Sequence, residues 1–184
     1  MSSANDLSSK SRTGLVQIFT GEGKGKTTAA AGTVLRALSH GLKVFIVVFM
    51  KGSSPLSGEW TVLSKLPGVK IATFGARGFT DPQKIKPETR EQARQAFETA
   101  REAVLSGDYD LVVLDEINVA VDWKLVDEDE VVRLIEDKPS DVELILTGRY
   151  AHPKLVELAD LVTECLNIKH PYNKGIKARP GIEY

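Results

Sequence analysis

Gly21-Glu22-Gly23-Lys24-Gly25-Lys26-Thr27-Thr28 decides the reading of this chain. It stands between an apolar run of strand length, residues 15–19, and a stretch of helical periodicity, residues 26–39, that stops at Gly41. A glycine-rich turn from strand into helix presents successive backbone N–H groups, and the helix start adds about half a positive charge, so the segment suits an anion such as phosphate. In that setting Lys26 brings a cation to phosphate oxygens, and the Thr27 hydroxyl is a ligand for Mg²⁺. The spacing departs from the usual pattern. Gly21 and Gly25 are separated by three residues instead of four, and Thr20 stands where the first glycine would be. The bland alternative is a glycine-rich turn carrying solvated lysines.

The rest of the chain repeats the same alternation. Residues 15–19, 43–50, 69–73, 111–114, 142–146 and 161–168 read as strands, and their continuous apolarity points to burial on both faces, as in a parallel sheet. Helices are expected at 26–39, at 87–106 with Ala93, Phe97, Ala100 and Val104 on one face, from a capping-box pattern at Asp127 and Glu130 to about residue 137, and from Pro153 to about 159. Such alternation gives right-handed βαβ crossovers and a three-layer doubly wound α/β domain. The long Gly/Pro-containing loops 51–58 and 74–87 both leave the carboxyl ends of strands, where such folds bind ligands.

Composition narrows the function classes. The 184 residues are 42% hydrophobic and 27% charged, which excludes wholesale disorder and allows a single core. Lys and Arg total 24 against 25 Asp and Glu, so no charge excess recommends nucleic acid or a membrane surface as partner. The longest apolar run, residues 44–50, is far shorter than the roughly 20 residues of a bilayer span. Cys165 is the single cysteine, which fits a reducing cytoplasm, and the first dozen residues are polar and serine-rich, without the apolar stretch of an export signal. Residues 1–13 are therefore expected to form a mobile arm, and 14–184 a single domain.

A second motif, Leu111-Val112-Val113-Leu114-Asp115-Glu116, is a buried strand ending in two carboxylates. A magnesium–nucleotide site needs such a carboxylate beside its phosphate loop. Asp115 and Glu116 point in different directions, so only one of them faces the metal directly. Further segments follow in order: Thr147-Gly148-Arg149, Ala159-Asp160-Leu161-Val162-Thr163-Glu164, Lys169-His170-Pro171-Tyr172, Gly175-Ile176-Lys177-Ala178 and Gly181-Ile182-Glu183-Tyr184.

With the shortened loop and Leu114-Asp115-Glu116-Ile117-Asn118, these segments give a chain that resembles the ATP:corrinoid adenosyltransferases of the cobalamin pathway, the type built on a P-loop fold, over about residues 14–184. The resemblance implies a P-loop NTPase-like, mostly parallel sheet. It also implies transfer of the 5′-deoxyadenosyl group of ATP to the cobalt(I) of a corrinoid, cob(I)alamin or cob(I)yrinic acid a,c-diamide, with release of tripolyphosphate, in cobalamin biosynthesis or salvage. A cytoplasmic homodimer, Mg²⁺ or Mn²⁺, and an external electron donor for cobalt reduction belong to the same expectation. Matched position by position, Gly21, Glu22, Gly23, Lys24, Gly25, Lys26, Thr27 and Thr28 bind the triphosphate, and Glu116 completes the metal site with Thr27, with Asp115 adjacent. Arg36 and Arg149 are further candidates for contacting the nucleotide, each against the alternative of a surface ion pair. The family's apolar wall against cobalt has the pattern Gly-Phe-Thr-Trp, and here the loop reads Gly78-Phe79-Thr80-Asp81, so Phe79 matches and Asp81 departs.

Cobalt(I) is a strong nucleophile and asks little acid–base help, so no catalytic His or Cys is expected. His40 reads as a helix-end residue, His152 as the residue before a helix, and Cys165 as core. The basic tail from residue 169 reads as an ordered segment with its cations near the sheet's carboxyl edge. Two other readings share the loop: a P-loop ATPase or small-molecule kinase that cleaves the β–γ bond, and a corrinoid- or nucleotide-binding protein without turnover.

Overall fold

The computed structural model describes residues 12–51, 57–75, 82 and 84–183. Six strands form one sheet: β1 (Val16–Thr20), β2 (Val44–Val48), β3 (Val69–Thr73), β4 (Leu111–Asp115), β5 (Glu143–Thr147) and β6 (Leu161–Glu164), in the order β3-β2-β4-β5-β1-β6. Every described pairing is parallel. The helices are α1 (Lys26–Ser39), α2 (Gly58–Leu63), α3 (Pro87–Leu105), α4 (Ile117–Asp122), α5 (Glu128–Asp137) and α6 (Pro153–Leu158), with a 3₁₀ turn at Pro171–Lys174.

Strand order and the right-handed crossover fix the layers. From β1 the chain runs toward β2 and then β3, and from β3 it returns through β4 and β5 to β6. Crossovers made in opposite directions lie on opposite faces. One core accordingly joins α1 and α2 (Ala30, Ala31, Val34, Trp60, Leu63) to Ile46, Val48, Leu111, Val113 and Ile145. The other joins α3 to α6 (Ala96, Phe97, Ile117, Val131, Leu155) to Val47, Val112, Leu114, Leu144 and Leu146. Successive residues of β4 and β5 thus alternate between the two cores. That parity orients the site.

Two expectations change. Continuous apolarity meant burial on both faces for β2, β4 and most of β5, but β3 and β6 are the edge strands: β3 has no fully buried residue, and β6 ends at Glu164 instead of running to 168 and is exposed, Leu161 by 42% and Val162 by 40%. Two short helices, α2 and α4, fill stretches the sequence pattern left unassigned. Asp127 caps α5 through its own carboxylate, which accepts the Asp129 N–H at 2.8 Å.

Candidate active site

The phosphate loop is built by close backbone contact. The Gly23 N–H donates to the Cys165 carbonyl at 2.6 Å, and a Cβ on Gly23 would stand 2.6 Å from the Leu166 carbonyl oxygen. Gly25 at φ +121° is the turn into α1, a backbone conformation that side chains disfavour. The helix opens without a capping side chain, without an acidic residue in its first turn, and with lysine at its first position. A helix start usually recruits the opposite charge, so this one favours an anion supplied from outside. The Lys26 ammonium donates to the carbonyls of Gly21 at 2.8 Å and Gly23 at 2.7 Å, and burial lowers its pKa, against the opposing influence of Glu116.

Across the loop lies the end of β4. Asp115 continues the Leu111 and Val113 parity and so faces α1 and α2, where it is fully buried. Its Oδ1 accepts the Thr27 hydroxyl at 3.0 Å and the Thr147 hydroxyl at 2.7 Å, and its Oδ2 accepts the Trp60 indole N–H at 3.0 Å and the Lys51 ammonium at 3.3 Å. Glu116 follows in the left-handed region at φ +68°, its N–H donating to Thr147 Oγ1 at 3.0 Å. This turn swings its carboxylate onto the cleft wall, 3.6 Å from Lys51. Met50 after β2 and Tyr150 after β5 also carry positive φ, so three of the four such non-glycine residues among the described ones stand at the sheet's carboxyl edge, the fourth being Lys124 after α4. Burial, with Asp115 beside it, raises the Glu116 pKa despite Lys51. For Lys51 itself burial pulls downward, but Asp115 and Glu116 outweigh it and the pKa rises.

Lys26, Thr27, Lys51 and Glu116 line a cleft of about 730 Å³ with Glu22, Gly23, Lys24, Gly25, Thr28, Glu59 and Arg149. The Thr28 hydroxyl donates to Glu59 at 2.8 Å. A divalent cation suits the donor set: the Thr27 hydroxyl and the Glu116 carboxylate are hard oxygen ligands, and a cationic group, the Lys51 ammonium, already stands between Glu116 and Asp115.

The structure brings Gly21 through Thr28, Asp115, Glu116 and Arg149 together, but not Arg36. That residue sits on the last turn of α1, exposed and about 15 Å along the helix from Lys26, because ten residues at 1.5 Å rise carry it away from the loop. Phe79 and Asp81 lie outside the described residues, as does most of the N-terminal arm. His40 and His152 hold the helix-end positions expected of them. Cys165 is not in the core: β6 ends before it, and its half-buried backbone runs along the phosphate loop. The tail does reach the cleft, through His170, Ala178, Gly181, Ile182 and Glu183, yet Tyr172 remains 79% exposed. Its link to the loop is an acid, not a cation: Lys24 meets the Ile182 carbonyl at 2.5 Å and the Glu183 carboxylate at 3.3 Å. Lys51, Trp60, Thr147 as a donor, and the pairing of Glu183 with Lys24 escaped the motif reading. Only the parity of β4 and β5 could have announced Thr147 facing Asp115.

Residues 12–184 match the model of the ATP:corrinoid adenosyltransferase BtuR/CobO/CobP family. The chain belongs to this family. A corrinoid adenosyltransferase of a Sinorhizobium species is 40% identical over 174 residues, covering 93% of this chain and 80% of the relative. The corrinoid adenosyltransferase of Escherichia coli K12 is 38% identical, and corrinoid adenosyltransferase CobA of Salmonella typhimurium 36%, each over 93% of this chain and 86% of the relative. The phosphate loop and Glu116, the residue that follows β4, open into the same cleft.

Proposed function

We propose that this ATP:corrinoid adenosyltransferase binds the triphosphate of ATP across Gly21–Thr28 and transfers its 5′-deoxyadenosyl group to the cobalt(I) of a corrinoid. The single observation that carries the reading is the Thr27–Asp115 hydrogen bond, which locks the phosphate loop onto the end of β4 and sets Glu116 at the cleft. The cobalt(I) electron pair attacks carbon 5′, the C5′–O bond breaks, and tripolyphosphate leaves with that bond's electrons. Negative charge then grows on the α-phosphate side, so what the protein must supply is preorganised positive charge around the leaving group. Lys26, the α1 N–H groups and Arg149 supply it. A divalent cation held by Thr27 and Glu116 would neutralise further phosphate charge.

The exposed apolar edge at Leu161, Val162, Leu166 and Ile168 supports a homodimer. Among the described residues no helix is long and apolar enough to cross a membrane, and we place the enzyme in the cytoplasm, with an external donor reducing cobalt. Phe79 is assigned to the apolar wall against cobalt. An anaerobic assay with ATP, Mg²⁺ and chemically reduced cobalamin tests the reaction. Adenosylcobalamin with tripolyphosphate is the expected product pair. ADP with phosphate would identify a β–γ-cleaving ATPase instead, and tight corrinoid binding without turnover would identify a carrier.

A further inference from the structure

Lys51 belongs to no motif of the phosphate loop, yet its ammonium occupies the most charged point of the site. Its backbone is pinned where β2 ends, the N–H donating to the Phe74 carbonyl at 2.9 Å. From there the side chain turns inward to stand 3.3 Å from Asp115 Oδ2 and 3.6 Å from Glu116 Oε1. Asp115 is fully buried, and its other partners, Thr27, Thr147 and Trp60, are neutral donors that satisfy its lone pairs without cancelling its charge. A buried carboxylate needs a counter-charge, and Lys51 contacts it directly. Glu116, by contrast, is only partly buried and shares the same ammonium at longer range.

That geometry sets up a competition. A divalent cation on Thr27 and Glu116 must take a carboxylate that already faces a cation, in a place where like charges are poorly screened. The competition eases when a polyanion arrives with the metal, because phosphate oxygens can accept the ammonium that Glu116 gives up. We propose that Lys51 is the resident counter-cation of the Asp115–Glu116 pair, which keeps free divalent ions out and couples metal uptake to triphosphate binding. Lys51 is in this sense a positioning residue. The proposal rests on the assignment of Thr27 and Glu116 to the metal, and coupling of this kind is reciprocal: whatever factor ATP adds to metal affinity, the metal adds to ATP affinity.

Mn²⁺ titration of the full chain, read from the electron paramagnetic resonance signal of free Mn²⁺, tests this without any turnover. For the unaltered protein, Mn²⁺ is expected to bind weakly alone and at least about tenfold more tightly with ATP present, after correction for Mn²⁺–ATP complexes in solution. Lys51→Met keeps the aliphatic stem and removes the charge. It is expected to tighten Mn²⁺ binding without ATP by roughly tenfold and to reduce the ATP-dependent factor accordingly, leaving the direct attraction between metal and phosphate, while Lys51→Arg retains the full coupling. Lys51→Gln serves if the Met variant does not fold. Equal Mn²⁺ affinity with and without ATP in the unaltered protein, or an unchanged coupling factor in the Met or Gln variant, overturns the proposal. Glu116→Gln separates the two claims: if Mn²⁺ binding with ATP is indifferent to it, the metal assignment fails, whatever Lys51 does.

Discussion

The Thr27 hydroxyl donates to Asp115 Oδ1 at 3.0 Å, joining the first turn of α1 to the last residue of β4 across 88 positions of sequence. Asp115 also holds Thr147, Trp60 and Lys51, so it is the knot that ties three strand ends and two helices into one site. The carboxylate of its neighbour Glu116 takes none of the three neutral donors, although the Glu116 N–H bonds the Thr147 hydroxyl oxygen. The two carboxylates should therefore fail differently when changed.

Asp115→Ala strips three donors of their acceptor, a loss of about 1–3 kcal/mol for each one left buried and unsatisfied, while Lys51 keeps Glu116 as its remaining carboxylate. Urea unfolding is expected to show a shift of that order. Glu116→Gln, on the cleft wall, should cost well under half as much in stability and instead raise the Mg²⁺ concentration needed for activity. A reversal, with Asp115→Ala stable and Glu116→Gln unfolded, would contradict the division of roles.

Lys26→Ala tests the loop itself. The ammonium contacts only carbonyls of its own loop, so the fold should survive, with an unfolding midpoint close to that of the unaltered chain. Activity should fall by about 10² to 10³, the loss typical of one preorganised charge or donor aimed at a developing anion. Adenosyl transfer from ATP at saturating Mg²⁺ measures it.

Trp60→Phe removes one donor from Asp115 while keeping an aromatic ring in the α1–α2 core. Trp60 is fully buried, so the change combines a lost hydrogen bond to a charged group, about 1.5–3 kcal/mol, with a smaller ring in a close-packed space. Thermal and urea unfolding should both register it, with metal dependence changing little.

Much of this site was legible before the fold was known, and the reasons are local. Gly21 to Thr28 announces itself because a backbone that must approach an anion needs glycine, and a strand and a helix flank it. The apolar run of β4 fixes both its burial and its alternation. Asp115's direction was contained in that alternation but needed the identity of the facing helices, and strand order supplies that. Helices α2 and α4 hold six residues each, too few for a 3.6-residue period to show against noise. Trp60 reaches Asp115 across 55 positions, and no spacing rule connects an indole to a carboxylate at that range. The exposure of β6 escaped for a similar reason: an edge strand and a central one can share an apolar composition, and only pairing tells them apart.

The last prediction concerns the tail. Glu183 accepts the Arg179 N–H at 2.8 Å and its Nε at 3.0 Å, and Lys24 of the phosphate loop lies 3.3 Å away. Hydrogen bonds from Arg179, side chain first and then backbone, with Lys24 adding to them, hold the carboxyl down to about 2 from an ordinary 4.5. A carboxyl depressed in the folded state favours that state fully above its unfolded value, and the contribution fades as pH falls through the lowered value. Tail order should therefore be constant from pH 8 to 5 and loosen only between about 4.5 and 2. Carbon-13 titration of the Glu183 carboxyl gives the midpoint directly. Salt is the sharper probe, because Lys24 is about half exposed and the screening length drops to about 3 Å at 1 M. Proteolysis within residues 175–183 should accelerate at high salt, and Glu183→Gln should reproduce that acceleration at low salt while making the rate nearly salt-independent. A Gln variant as protected as the unaltered chain would show that the tail is held by its backbone contact at Ile182 and not by charge.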